Sequence, residues 1–324
     1  MSGADAPGEF ETIARLLSPL TQGHPGALNL TDDAAVLAGR PGFDLVISKD
    51  AMVAGVHFLD DAPLDVVARR LLRTALSDLA AKAAEPAGWF LAAAWPAAID
   101  WAGREAFARG LAEDIALFGA PLLGGDTVST PGLLTLSATV LGWAPAGRMV
   151  RRGGGRAGDL LVVSGTIGDG WLGLQVATGA LAHDAALLQR FERPEPRLGL
   201  REAIQRYARA SADVSDGLLA DAGHIGAASG LKVVLDLDRL PLSASAAVWL
   251  EVQIDHSAAL CALASGGDDY EVIAAVAPDE AEAYAAAAGM PVTVVGRLAD
   301  GQGVEARLDG DVVALGRLGY RHQG

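Results

Sequence analysis

Short apolar runs rich in valine, leucine and isoleucine alternate along this chain with longer alanine-rich stretches of helical period, a pattern that calls for α/β or α+β domains. The apolar runs predict strands at Asp44–Ser48, Trp89–Ala94, Leu133–Gly142, Leu160–Ser164, Lys232–Leu237, Tyr270–Ala275 and Val292–Arg297. The periodic stretches predict helices at Phe10–Leu20, Leu64–Ala84, Trp101–Phe118, Gly168–Thr178, Arg197–Arg209, Leu218–Ser229 and Pro278–Ala288. No fixed-period repeat is visible. With 324 residues, 51% of them hydrophobic, the chain is too long for one ordinary core, and two domains are expected. After the strand ending near Gly142 come Pro145, Gly147 and a run of glycines and arginines before Leu160. That punctuation puts a boundary near residue 146, giving domains 1–146 and 147–324.

Charge narrows the function classes. Lys plus Arg total 25 against 40 Asp plus Glu, and a formal charge of −15 repels nucleic acid and anionic membranes. Basic residues concentrate only at Arg148 to Arg156. A single cysteine, Cys261, allows neither internal disulfides nor a cysteine-based metal cage, and fits the cytoplasm. The amino terminus carries Asp5 and Glu9 rather than a basic n-region, and the apolar stretch Trp89 to Ala98 is short and broken by Pro96. Neither a signal peptide nor a membrane span is expected.

Common nucleotide and hydrolase signatures are missing: no Gly-Lys dipeptide, no His-Glu-x-x-His, no Cys-x-x-Cys and no Gly-x-Ser-x-Gly. Lysine occurs only at Lys49, Lys82 and Lys232, which gives a protein-kinase-like fold no support. In their place stands a series of aspartates flanked by small residues. It runs Thr31-Asp32-Asp33-Ala34-Ala35, Ser48-Lys49-Asp50, Ser77-Asp78-Leu79-Ala80, Gly124-Gly125-Asp126-Thr127, Asp213-Val214-Ser215-Asp216-Gly217 and Gly266-Gly267-Asp268-Asp269-Tyr270-Glu271. Magnesium prefers hard oxygen ligands, and glycine neighbours let backbone amides approach phosphate oxygens. Two carboxylates about 5 Å apart repel by roughly 3 kcal/mol at an effective dielectric near 20, so carboxylates meeting in one pocket need cations or must hold protons. The series therefore suggests a metal–triphosphate site.

Taken singly, each motif also has an ordinary structural role open to it. Asp33 can close a turn, Asp78 can be a solvated helix residue, and Asp216 can cap the following helix. Gly124-Gly125-Asp126 can be a strand-to-turn exit, the arginine cluster a solvated hinge, His57 a packed or surface histidine, and Cys261 core.

Ordered along the chain, the motifs resemble those of the thiamine-monophosphate kinase family. The likeness begins at Gly8-Glu9-Phe10 and passes through Asp32-Asp33-Ala34, Asp50, Val53 to Phe58, Leu76 to Ala81 and Gly124 to Thr127. It continues through Gly158-Asp159, Ser164-Gly165-Thr166, Arg193-Pro194, Asp213 to Asp221, Gly223-His224-Ile225 and Ser265 to Glu271, ending at Gly319-Tyr320. The resemblance implies the two-domain fold shared with aminoimidazole ribonucleotide synthetase. Its N-terminal α/β domain binds ATP and magnesium and dimerises through its sheet, and its C-terminal α/β domain completes the nucleotide and substrate cleft. It further implies several magnesium ions at positions matched by Asp33, Ser48, Lys49, Asp50, Asp78, Asp126, Asp213 and Asp216. Gly125, Asp126, Arg152 and Ser215 match ATP contacts, and His57, Asp268 and Tyr320 match positions that hold thiamine monophosphate.

Three positions depart from the family's usual pattern, which has Gly at Thr31, Thr at Lys49 and Glu at Asp268. A cation is no side-chain ligand for magnesium, so either the Lys49 carbonyl serves or its ammonium replaces part of the metal charge. Asp268 is shorter than Glu by one methylene, about 1.5 Å, a gap that a water or a shifted substrate can fill.

The mechanism expected is direct in-line transfer from ATP to the acceptor phosphate, giving thiamine diphosphate and ADP. An acceptor phosphate with its second pKa near 6 is largely ionised at neutral pH, so no strong general base is required. Asp50, Asp78, Asp126, Asp216 and Arg152 are the expected catalytic set. The alternatives are another enzyme of the same fold, selenophosphate synthetase or the hydrogenase-maturation type, or a non-catalytic nucleotide-binding module. The first two use cysteine near one chain end, whereas this sequence reads Met1-Ser2-Gly3 at its start and Arg321-His322-Gln323-Gly324 at its close.

Overall fold

The computed structural model describes residues 8–320; Asp5 and the two chain ends weighed above lie outside them. The chain forms two compact units, one of residues 1–79 and 85–147, the other of residues 80–84 and 148–324.

The first unit opens with a helical turn, α1 (Glu9–Thr12), followed by a π-helical turn (Ile13–Leu17) and a 3-10 turn (Ser18–Thr21). A single helix was expected over this stretch. Pro19 lacks the amide that would continue the i→i−4 ladder, and the helix breaks up around it. Then come β1 (Phe43–Val53), α2 (Leu64–Ala81), β2 (Glu85–Pro96), α3 (Trp101–Phe118), β3 (Leu122–Thr130) and β4 (Thr135–Pro145). The strands form one sheet in the order β1-β4-β2-β3, antiparallel except for the parallel β2–β3 pair. Both helices cover one face. Trp95 of β2 stacks edge-on against Phe107 of α3, and Ser48 of β1 bonds Asp78 of α2. The limits of α3 match the expected ones because both ends are chemically marked: the Asp100 carboxylate accepts from the Gly103 amide, and Gly119 closes the helix at φ 64°.

In the second unit the elements are β5 (Leu160–Ser164), α4 (Asp169–Ala177), α5 (Ala185–Glu192), α6 (Arg201–Tyr207), β6 (Ala208–Val214), α7 (Leu218–Ser229), β7 (Lys232–Asp236), α8 (Ala244–Glu251), α9 (His256–Ser265), β8 (Glu271–Val276), α10 (Ala281–Ala288), β9 (Val292–Ala299), β10 (Val304–Leu308) and β11 (Asp311–Val313). Seven strands form a mixed sheet ordered β11-β10-β7-β9-β5-β8-β6. Leu161, Val163, Ile273 and Ala275 pack into a core with α7 and α9, while Val162, Val272, Ala274 and Val276 pack into a second core with α6 and α10. A strand covered on both faces reads as a continuous apolar run, which is why β5 was recognisable residue for residue.

Four strands were not anticipated: β3, β6, β10 and β11. The first carries Gly124-Gly125-Asp126 inside it rather than at a strand exit. The expected helix Arg197–Arg209 is a 3-10 turn followed by the short α6, and at Ala208 the alanine-rich sequence becomes β6. Pairing with β8 along Asp213↔Val272 and Val214↔Glu271 overrides its weak strand propensity. In the glycine–arginine segment Arg148, Arg151, Arg152 and Arg156 are exposed, while the glycine backbone lies close against its neighbours. An added Cβ at Gly153 would lie 2.7 Å from the Ala228 carbonyl oxygen, and one at Gly154 (φ +125°) 2.7 Å from that of Arg209.

Candidate functional site

In the first unit the alternation of β1 puts Ser48 and Asp50 on the helix-covered face of the sheet. Here the Ser48 hydroxyl donates to the Asp78 carboxylate on α2. Burial and then the charge of Asp78 push the Asp50 carboxyl up to about 6. Two carboxyl groups thus share a partly desolvated place, where a nearby cation would favour their ionised forms. Lys49 lies on the opposite face, where its ammonium donates to the Thr139 hydroxyl at 3.3 Å. Its side chain is thus kept away from Ser48 and Asp50, and only its main chain is placed between them.

Asp33 and Asp126 come together elsewhere in the same unit, around a cavity of about 310 Å³ also lined by Glu9, Asp32, Phe90 and Gly125. The segment that delivers Asp32 and Asp33 holds three successive left-handed residues, Leu28, Asn29 and Leu30, at φ 49°, 54° and 57°. Such conformations cost roughly 1–2 kcal/mol each and persist only where surrounding structure imposes them. Gly125 is required by close approach: at φ +152°, a Cβ would lie 1.8 Å from the Leu91 carbonyl oxygen across the β2–β3 pair. The register places Asp126 opposite Ala92, in the row of Ala51 and Ser137, on the face away from Asp50. His57 sits in the turn after β1, where its Nδ1 accepts from the Val53 amide at 3.1 Å and its carbonyl accepts from Arg70 Nε. The proton of a neutral His57 therefore belongs on Nε2.

The second unit collects the remaining residues. Asp213 lies in the buried end of β6, 5% exposed and one residue before Val214, and Ser215, Asp216 and Gly217 make the tight turn into α7. Asp216 does not cap α7. Instead Asp221, inside the first turn, accepts from the amides of Ser215, Asp216 and Gly217 at 3.1, 3.1 and 3.2 Å through one oxygen, Oδ2. Burial, then the charges of Asp213 and Asp216, push its carboxyl up to about 8, partly offset by the Asp216 amide and by Arg152. Arg152 is thereby placed among these acids. Ligand atoms of Asp216, Asp221 and His224 lie within 4.8 Å of one another. Asp221 and His224 were given no role from sequence; their signal was the five- and eight-residue spacing from Asp216 across a helix start.

The loop of Asp268 stands against that turn. Asp268 and Tyr270 adopt φ 66° and 52°, left-handed for non-glycine residues. Their amides donate to the carbonyls of Ser215 and Val214, both at 2.8 Å, and the Tyr320 amide donates to the Asp216 carbonyl at 2.9 Å. Asp269 braces the loop from behind by accepting from the Gly168 and Gly170 amides at 2.9–3.0 Å. Glu271, fully buried, takes Arg190, Arg197 and the Ser164 hydroxyl. Cys261 is a helix residue whose thiol burial pushes up, an inert packing role.

Among the described residues, then, the second unit brings together Asp213, Ser215, Asp216, Arg152, Asp268 and Tyr320, and the first unit holds two acidic groups of its own. Every ligand candidate except His224 is an oxygen donor, a set suited to magnesium. No helix among the described residues is long and apolar enough to cross a membrane.

Residues 31–144 match the family "AIR synthase related protein, N-terminal domain", and residues 156–309 match its C-terminal domain. The thiamine-monophosphate kinase of Caulobacter vibrioides is 59% identical over 323 residues, covering 98% of this chain and 92% of that protein. A solved structure described as "AaThiL complexed with AMPPCP and TMP" aligns at TM-score 0.77 and 27% identity, covering 97% of each chain. The hydrogenase maturation protein HypE of Escherichia coli aligns at TM-score 0.78 over 96% of this chain and 97% of its own, but at 20% identity, a likeness of fold alone.

Proposed function

The chain belongs to the thiamine-monophosphate kinase family of AIR synthase related proteins and is an ATP-dependent kinase; we propose that it moves the γ-phosphoryl group of ATP in line onto the phosphate of thiamine monophosphate, giving thiamine diphosphate and ADP. We place it in the cytoplasm, working with several magnesium ions as a homodimer joined through its first sheet. The observation that supports the site assignment is the Ser48–Asp50–Asp78 cluster, where the Ser48 hydroxyl donates to Asp78 and where burial and then the Asp78 charge raise the Asp50 carboxyl to about 6, so that a bound cation would favour its ionised form.

In the first unit Asp33, Asp50, Asp78 and Asp126, with the Ser48 hydroxyl and the Lys49 main-chain carbonyl, would hold magnesium ions, and in the second unit Asp213 and Asp216 would do so. When bound, magnesium supplies charge neutralisation between two polyanions. Arg152 and the Gly125, Asp126 and Ser215 region orient the nucleotide. His57, Asp268 and Tyr320 hold the acceptor, and no side chain removes a proton from a phosphate already ionised at neutral pH. Catalysis then rests on alignment and electrostatic stabilisation, with no covalent intermediate on the protein.

Incubation with ATP and thiamine monophosphate, followed by chromatography, is expected to give multiple turnovers of thiamine diphosphate and none in a magnesium-free control. In Asp126→Asn, kcat should fall by about 100-fold or more with the melting temperature unchanged. Near-normal activity in that variant contradicts the assignment. Nucleotide binding without ADP release would instead favour a non-catalytic module.

A further inference from the structure

We infer that the Ser215-Asp216-Gly217 backbone is a mount shared by the metal-binding and acceptor-binding residues of the second unit, with the main-chain amide of Tyr320 as the positioning group that couples them. The inference rests on the roles proposed above for Asp213, Asp216, Asp268 and Tyr320.

The turn is held from three directions, and the bonds use every polar main-chain group that matters. Its three amides converge on Asp221 Oδ2, which is anchored on α7 and 1% exposed. That leaves the Ser215 and Asp216 carbonyls to accept from outside. The Ser215 carbonyl takes the Asp268 amide at 2.8 Å, and the Asp216 carbonyl takes the Tyr320 amide at 2.9 Å. Each acceptor residue is therefore fastened to the metal-binding turn through its own backbone, one peptide from the next.

Neither fastening has slack. A Cβ at Gly319 would lie 2.6 Å from the Asp216 oxygen and 2.6 Å from the Ala220 Cβ. At Gly267 (φ +79°) it would lie 2.6 Å from the Ser215 oxygen, and at Gly217 (φ +123°) 2.9 Å from the Ser265 carbonyl carbon. Backbones this close move together, because a packed contact has discrete arrangements rather than a continuous range. A shift of the Asp216 main chain as its carboxylate takes a metal is thus passed to Asp268 and Tyr320. Coupling of this kind is reciprocal and is typically worth ~5- to 150-fold in affinity.

Two substitutions at one position separate the amide from the side chain. Tyr320→Ala keeps the N–H that bonds Asp216, and Tyr320→Pro deletes it. Binding is measured one ligand at a time, so that direct metal–phosphate contact contributes nothing: Mn²⁺ alone, by the electron paramagnetic resonance of the free ion, and thiamine monophosphate alone, by calorimetry in chelator. Both variants are expected to weaken thiamine monophosphate about 5-fold or more, but only Tyr320→Pro should weaken a class of Mn²⁺ sites by a similar factor. Gly319→Ala, which displaces the same bond by contact, should reproduce the proline variant and serves if that protein does not fold. Mn²⁺ affinity equal to wild type in both Tyr320→Pro and Gly319→Ala overturns the mount. If Tyr320→Ala binds the acceptor normally while Tyr320→Pro loses Mn²⁺, the acceptor role of the Tyr320 side chain falls and the mount stands.

Discussion

Asp269 is 1% exposed, and its carboxyl is pushed up to about 8, first by burial and then by Asp169, with the Gly168 and Gly170 amides and Arg190 offsetting only part of the rise. A carboxyl whose folded pKa lies above its unfolded value near 4 holds its proton longer in the folded state. Its contribution to stability is therefore fullest at low pH and is lost as pH rises towards 8. Asp269→Asn removes the titration but keeps an acceptor for the glycine amides. Its melting temperature, followed from pH 5 to 8, should gain several degrees on wild type across that range. A difference independent of pH contradicts the burial account. The neighbouring Glu271 is the opposite case, a fully buried carboxylate matched to two arginines. Glu271→Ala strands Arg190 without its anion and leaves Arg197 only the exposed Glu195, and urea denaturation should show a loss of about 3 kcal/mol. Neither residue touches a ligand in the roles proposed. Their work is to fix the loop on which Asp268 rides, and nothing in the sequence distinguishes such braces from Asp268 itself, since all lie within Asp268-Asp269-Tyr270-Glu271.

At the scale of elements, legibility followed whether local chemistry and tertiary pairing agreed. Helix α3 has an aspartate cap and a closing glycine, and β5 is apolar throughout, so both were visible in sequence. Strands β3 and β6 were not, because one is rich in glycine and aspartate and the other in alanine, and each owes its form to a neighbouring strand. The same blindness affected the candidate site. Gly-Gly-Asp suggests a loop, yet Gly125 is a strand residue whose missing side chain lets β3 lie against β2. Gly125→Ala should therefore cost about 2–3 kcal/mol or more in denaturation, because the pair must separate to admit the methyl group. Unchanged stability would mean that the glycine is kept open for a ligand rather than for the sheet. Likewise, the alternating faces of β1 part Lys49 from Ser48 and Asp50, a separation that adjacency in sequence conceals but strand periodicity contains.

Over the whole molecule, acidity and apolarity are distributed with a purpose that composition alone does not reveal. A formal charge of −15 favours solubility and disfavours association, so any self-association must rest on an apolar surface free of that charge. Apart from Lys49 and Asp126, the open face of the first sheet offers one: Leu45 is 41% exposed, Ile47 60% and Val128 51%, and the register sets all three on the side away from α2 and α3. Part of the same face is already covered within the chain, where Phe90, Leu123 and Leu141 pack with Ala27, Leu30 and Leu37. The uncovered remainder lies on the two edge strands, with Leu45 and Ile47 on β1 and Val128 on β3. In the homodimer proposed above, a carboxylate in place of Ile47 would be buried in the contact between two acidic chains, and the desolvation of its charge opposes assembly. Light scattering should give twice the chain mass for wild type and the single-chain mass for Ile47→Asp, with the same melting profile at low concentration if the unit folds by itself. A wild-type monomer overturns the homodimer, a variant that still doubles its mass places the partner surface elsewhere, and either result leaves Leu45 and Ile47 as exposed apolar residues of the edge strand.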